Sequence, residues 1–138
     1  MDIQNPVPIT NIGDPYVLNY KGVYYLYATS MPDGYYCWKS NNLSDWSAPW
    51  VCYKATEKSF GNSCFWAPEV YEFGGKFYMY YTAQWKIYEE EQLRIGVAVS
   101  DTPEGPFQDV LDSAPMFDLG YGVLDAHILK DGKSNYLY

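Results

Sequence analysis

Apolar and aromatic residues come in runs of five to eight, broken by Gly, Asp, Asn and Pro, and helix-period spacing is nearly absent. Runs of that length between turn residues predict β-strands joined by tight turns. The runs also repeat. Three segments align without a gap: Asp14 to Tyr27, Ala67 to Tyr80 and Asp125 to Tyr138. Each reads as a strand, a turn rich in Gly or Asp, and a returning strand that ends aromatic–apolar–Tyr. That is one β-hairpin written three times. The starts lie 53 and 58 residues apart.

The stretches between the hairpins match as well. Tyr35 to Ser40 parallels Ile95 to Ser100 as a third strand, and each Ser is followed by a polar turn and then bulky residues. These are Leu43 and Trp46 in the first unit, Pro106 and Phe107 in the second. Four strands in a repeat of about 50 residues fit one blade of a β-propeller. A helical solenoid does not fit, and a β-sandwich ranks below because it would not write the same hairpin three times. The expected fold is all-β, a propeller with about two and a half blades in this chain. Blade one would occupy about 14–60, blade two about 66–115, and the first hairpin of blade three 123–138. Propellers close with at least four blades, since open edges and blade faces favour association. The sequence therefore reads as a partial catalytic propeller domain, either a fragment or one part of an assembly. Two copies could complete a five-bladed ring.

Composition narrows the ligand class. The 138 residues suffice for one ordinary domain. Aromatic residues make up 20 %, including 16 Tyr and 5 Trp, so many should sit on half-exposed strands or line a groove. A formal net charge of −8 opposes binding to a nucleic-acid backbone and favours a neutral ligand. No apolar run reaches the length of a membrane span. The first residues lack the basic and apolar regions of a signal peptide, which leaves the compartment open. Cys37, Cys52 and Cys64 share no metal-type spacing, and buried free thiols are the expectation.

In a propeller the innermost strands converge on the axis, so equivalent repeat positions face one central pocket. The first repeat position is held by Asp14, Ala67 and Asp125. Two carboxylates from non-adjacent blades would then meet across a sugar-sized gap. The plainer alternative is two strand-start or turn aspartates, with Asp14-Pro15 a common turn initiator. Trp66, just ahead of the second repeat start, is a candidate apolar wall for a sugar ring, or else a core Trp between blades. Phe65 carries the same two readings. His127, the only His, lies two residues past Asp125 and shares its repeat position with Tyr16 and Glu69. It lines the cavity or serves as a hydrogen-bonded structural residue. Trp85 and the run Glu89-Glu90-Glu91 fall in a loop that lengthens blade two, where Trp85 is a candidate rim residue and the acidic run reads as solvated surface.

Gly13-Asp14-Pro15, Phe65-Trp66-Ala67-Pro68-Glu69 and Val123-Leu124-Asp125-Ala126-His127, each heading a blade, resemble glycoside hydrolase family 43. That family comprises β-xylosidases, α-L-arabinofuranosidases and arabinanases on a five-bladed propeller. The resemblance runs along the whole chain in the right order. It implies a glycosidase acting on xylose- or arabinose-containing plant polysaccharides with inversion. Asp14 would be the general base, and Asp125 the carboxylate that tunes and orients the acid. The acid itself would be a Glu of the fourth blade, which these residues do not reach, so the chain alone is expected to be inactive. Glu104, in Pro103-Glu104-Gly105-Pro106, falls in the outer turn of blade two and is rejected as the acid. No cofactor is implied from these residues, although an axial metal such as calcium is compatible with a complete propeller. The expected partners are a carbohydrate substrate and either a second copy or the remaining half of the propeller. The rival reading is a carbohydrate-binding or interaction propeller without turnover.

Overall fold

A computed structural model describes residues 7–138. It contains two four-stranded antiparallel sheets and one isolated hairpin. The first sheet runs in chain order through β1 (Gly13–Tyr20), β2 (Val23–Thr29), β3 (Gly34–Ser40) and β4 (Trp50–Lys54). The second does the same with β5 (Gly61–Phe73), β6 (Lys76–Trp85), β7 (Leu93–Ser100) and β8 (Gln108–Asp109). The third element pairs β9 (Ile128–Asp131) with β10 (Ser134–Leu137). Each four-stranded sheet is a meander with no crossover, as expected when every connection is a short turn. The described residues include no helix and form no closed ring.

Period-two patterning explains how the sheets stack. Along β1, Tyr16, Leu18 and Tyr20 are half-buried while Pro15, Val17 and Asn19 are exposed. On β6, Phe77, Met79, Tyr81 and Ala83 all turn into the core shared with the first sheet. Tyr20 meets Phe77 edge-on at 4.9 Å, and Tyr35, Tyr53, Phe65 and Tyr81 pack ring against ring between the sheets. At the outer edge β4 runs alongside the approach to β8, through the Phe107 N–H to Cys52 carbonyl bond of 2.8 Å.

So aromatic a core must satisfy its hydroxyls. It does so across the interface. Tyr27 donates to the Pro103 carbonyl and Tyr35 to the carbonyls of Trp66 and Thr82. Asp109 collects Tyr81 at 2.6 Å, Ser59 at 2.6 Å and Tyr53 at 3.1 Å. Burial pushes the Tyr53 and Tyr81 phenols well above their ordinary range, with the nearby Asp109 charge adding to it, so both stay protonated donors.

The second hairpin is longer than its alignment implies. β5 begins at Gly61 and pairs with Trp85, absorbing three register shifts before Glu69. Trp85 is therefore the last residue of β6 and not part of a loop. Its ladder continues because Gly61 lies against Ala83 and Phe65, where a larger side chain would hold the strands apart. Cys37 and Cys52 are buried and free; Cys64, expected to be buried too, is half-exposed on the irregular start of β5.

Gly96 on β7 lies beneath the rings of Tyr81 and Phe60, and an added Cβ would come within 2.6 Å of Phe60 Cε1 and closer still to Tyr81. Tyr81 cannot swing away without leaving Asp109. Gly96→Ala is expected to cost about 1–3 kcal/mol, read as a lower urea midpoint; an unchanged midpoint would show that these rings move freely.

Candidate active site

The three repeat-start residues share an uncommon backbone. Asp14, Ala67 and Asp125 have φ of +48°, +43° and +58°. Non-glycine residues in this region cost roughly 1–2 kcal/mol each. Asp tolerates it better than most, but Ala has no polar side chain to compensate. Register slips flank the first two positions, between Gly13 and Tyr16 and between Trp66 and Glu69. Such bulges re-aim side chains at the rims of sheets.

A threonine of the preceding sheet holds the second and third of these turns in place. The Ala67 N–H donates to Thr29 Oγ1 at 2.9 Å, and the Asp125 N–H donates to Thr82 Oγ1 at 3.0 Å. Thr29 and Thr82 occupy the same place in their repeats, on β2 and β6. Thr29 also donates to Asp14 Oδ2 at 2.8 Å.

Equivalent positions two residues further in meet as well. His127 Nδ1 lies 3.0 Å from Glu69 Oε2, and Tyr71 packs against Tyr16 with ring centroids 5.4 Å apart. The Tyr71 hydroxyl donates to Glu69 and accepts the Ile128 N–H at 3.1 Å. Having spent its proton on Glu69, Tyr71 can only accept from His127 Nδ1 at 3.1 Å, so Nδ1 carries the hydrogen. Partial burial, with Glu69 second, holds the Tyr71 phenol above its usual range.

Asp125 feels the other two acids. Partial desolvation raises the Asp125 carboxyl above its ordinary value, and the charges of Asp14 and Glu69 push it further. Acids from the first sheet, the second sheet and the start of the third hairpin therefore share one field.

The remaining sequence candidates distribute differently. Trp66 is half-buried, with its carbonyl taken by Tyr35. Phe65 is 1 % exposed, among Tyr35, Tyr53 and Tyr81, so of its two readings the structure takes the core one and not the sugar contact. The odd residue of the bulged strand turns inward where Trp66 turns out. His127 is exposed and bonded to Glu69. Trp85 is half-buried beside Tyr88 and the Arg94 guanidinium, 5.7 Å from its ring, and Glu89 to Glu91 are exposed. Glu104 pairs with Lys39 at 2.9 Å in the outer turn before β8. A cleft of about 500 Å³ does exist there, lined by Tyr53, Lys54, Phe107 and Asp109, but Asp109 is already saturated by hydroxyls and none of the three central acids borders it. Among the described residues no three His, Cys, Asp or Glu side chains gather closely enough to hold a metal ion.

Glu69, Tyr71, Thr29 and Thr82 were not singled out by sequence reasoning. Glu69 shares the repeat position of His127, and the two threonines follow their repeat starts by equal distances, so both signals were present. Tyr71 aligns with Leu18 and Leu129 and gave none.

Residues 3–138 match glycosyl hydrolases family 43. The xylosidase/arabinosidase 43A of Humicola insolens is 42 % identical over 73 residues, covering 53 % of this chain and 20 % of that protein. The crystal structure of a thermostable family-43 glycoside hydrolase superposes with a TM-score of 0.89 at 41 % identity, covering 99 % of this chain and 44 % of the other. The endo-arabinase of Bacteroides thetaiotaomicron superposes with a TM-score of 0.84 at 27 % identity over 99 % of this chain and 48 % of its own. The chain thus spans less than half the length of each of these relatives. With the match running through both sheets and the hairpin, the chain belongs to glycosyl hydrolase family 43.

Proposed function

We propose that these residues supply the general base and the orienting carboxylate of an inverting glycosidase, on a five-bladed propeller, acting on xylose- or arabinose-containing plant polysaccharides. The observation that carries this is the convergence of Asp14, Glu69 and Asp125 from three separate elements, tied together by the bonds of Thr29, Thr82 and His127. The xylosidase/arabinosidase and endo-arabinase relatives support the substrate class.

An inverting hydrolase needs a carboxylate on one sugar face to take a proton from water, and a proton donor on the other, with room for the water between them. Asp14, exposed and held by a single hydroxyl among the described residues, suits the base. Asp125 suits the group that repels charge from a neighbouring acid and keeps it protonated. Glu69 is committed to Tyr71 and His127, and Glu104 lies outside with Lys39, so neither suits the donor. The resemblance to the family implies that the donor comes from another blade. Trp66 offers the apolar face on which a sugar ring would stack.

Asp14→Asn in the complete propeller should lower kcat by about 10²–10⁴-fold while binding of xylo- or arabino-oligosaccharide, measured by calorimetry, persists. Retained turnover would remove Asp14 as base; a loss of affinity with no turnover in the parent would favour a binding module. Residues 1–138 alone should not hydrolyse xylobiose or arabinobiose at enzymatic rates, and turnover there would mean that the donor is among them.

Linkage gives a pH signature. Because the folded state raises the Asp125 pKa, its contribution to stability is present below the ordinary carboxylate value and lost as pH rises through the raised one. Asp125→Asn, which keeps a side chain suited to positive φ, should raise Tm at pH 7, with the gain fading as pH falls below the carboxylate range. An equal change at both pH values would argue against the repulsion.

A further inference from the structure

Thr29 makes two hydrogen bonds whose directions are not free to exchange. Its Oγ1 lies 2.9 Å from the Ala67 nitrogen and 2.8 Å from Asp14 Oδ2. A peptide N–H can only donate, so the Thr29 oxygen must accept there. An ionised carboxylate can only accept, so the one hydroxyl proton must point at Oδ2. The peptide of the second sheet thereby sets the direction of the bond that reaches the acid of the first.

Thr82 supplies an internal comparison. It accepts the Asp125 N–H as Thr29 accepts that of Ala67, but its own repeat begins with Ala67, which has no carboxylate to receive a bond. Accepting the neighbouring peptide is thus the shared structural duty of this position. Donation to a carboxylate is added only where the repeat begins with Asp14.

We propose that Thr29 is a positioning residue for hydrolysis: it clamps Asp14 Oδ2 and leaves Oδ1 as the oxygen that takes the proton from attacking water. This rests on Asp14 being the general base. Among the described residues no other hydrogen bond reaches the Asp14 carboxylate, so without Thr29 the group turns about its Cα–Cβ and Cβ–Cγ bonds. A base whose oxygen is mis-aimed loses rate in the chemical step with little change in substrate binding, since near-attack geometry and not affinity is what the clamp supplies. The bond to Ala67 adds a second effect. Ala67 sits at φ +43° just after Trp66, so the same hydroxyl ties the base to the backbone that carries the aromatic wall.

The experiment is steady-state kinetics of the complete propeller on an aryl xyloside or arabinofuranoside. Thr29→Val should lower kcat by about tenfold to 100-fold with KM nearly unchanged. Thr29→Ser, which keeps the hydroxyl, should restore most of kcat. In an Asp14→Asn background Thr29→Val should cost no further kcat, because the residue acts through that carboxylate. If the valine variant does not fold, Thr29→Ala removes the same proton without filling the space. Loss of kcat in the serine variant equal to that in valine, or an additive loss in the Asp14→Asn background, would overturn the proposal. If Asp14→Asn itself keeps full turnover, the general-base assignment fails first. If Asp14→Asn abolishes turnover while Thr29→Val keeps kcat, only the clamp is wrong.

Discussion

The placement of the three acids depends on a left-handed backbone turn at each repeat-start residue. Asp14, Ala67 and Asp125 adopt it although none is glycine, and two of the three have their N–H groups caught by a threonine of the preceding sheet. The turn re-aims the first side chain out of the pleat, where a regular strand would leave it beside its neighbours in the sheet wall. The threonine contacts make that re-aiming a property of two sheets together.

The charge arrangement pulls the other way. Gathering Asp14, Glu69 and Asp125 costs free energy that a fold selected only for stability would avoid: partial desolvation raises the Asp125 carboxyl and the other two charges add to it. Glu69 is the best compensated of the three, with the Tyr71 hydroxyl and His127 both bonded to it. Tyr71 in turn receives the backbone of Ile128, so the link that shields Glu69 also anchors the third hairpin. Stabilising polar contacts and repelling acids thus occupy successive positions along the same strands.

The sequence made the hairpins legible because their pattern is period two and written three times. It made Asp14 and Asp125 legible because they share a repeat position. It could not reveal the extra length of β5 and β6, whose pairing from Gly61 to Trp85 requires register slips that leave no periodic trace. The same slips hid the fate of Phe65: adjacent aromatics read alike until the bulge decides which one turns to the core. Thr29 and Thr82 fell outside the aligned segments although their spacing matched, since a lone threonine at a strand end carries no strong signal. Tyr71 was hidden by its alignment with two leucines, because its role is to bond residues brought from elsewhere in the chain.

The tyrosine hydroxyls that converge on Asp109 have a further consequence. Oily sheet faces can slide or rotate over each other at small cost, but bonds from Tyr53, Tyr81 and Ser59 to one carboxylate are directional. They fix the angular pitch between the first sheet and the second as a dovetail fixes a corner. In a circular array each such angle adds to the next, so a small error at one joint is carried round to the gap between the last sheet and the first. In the propeller proposed above, the polar joint at Asp109 would therefore govern a tolerance at the axis, where the acids would face one another.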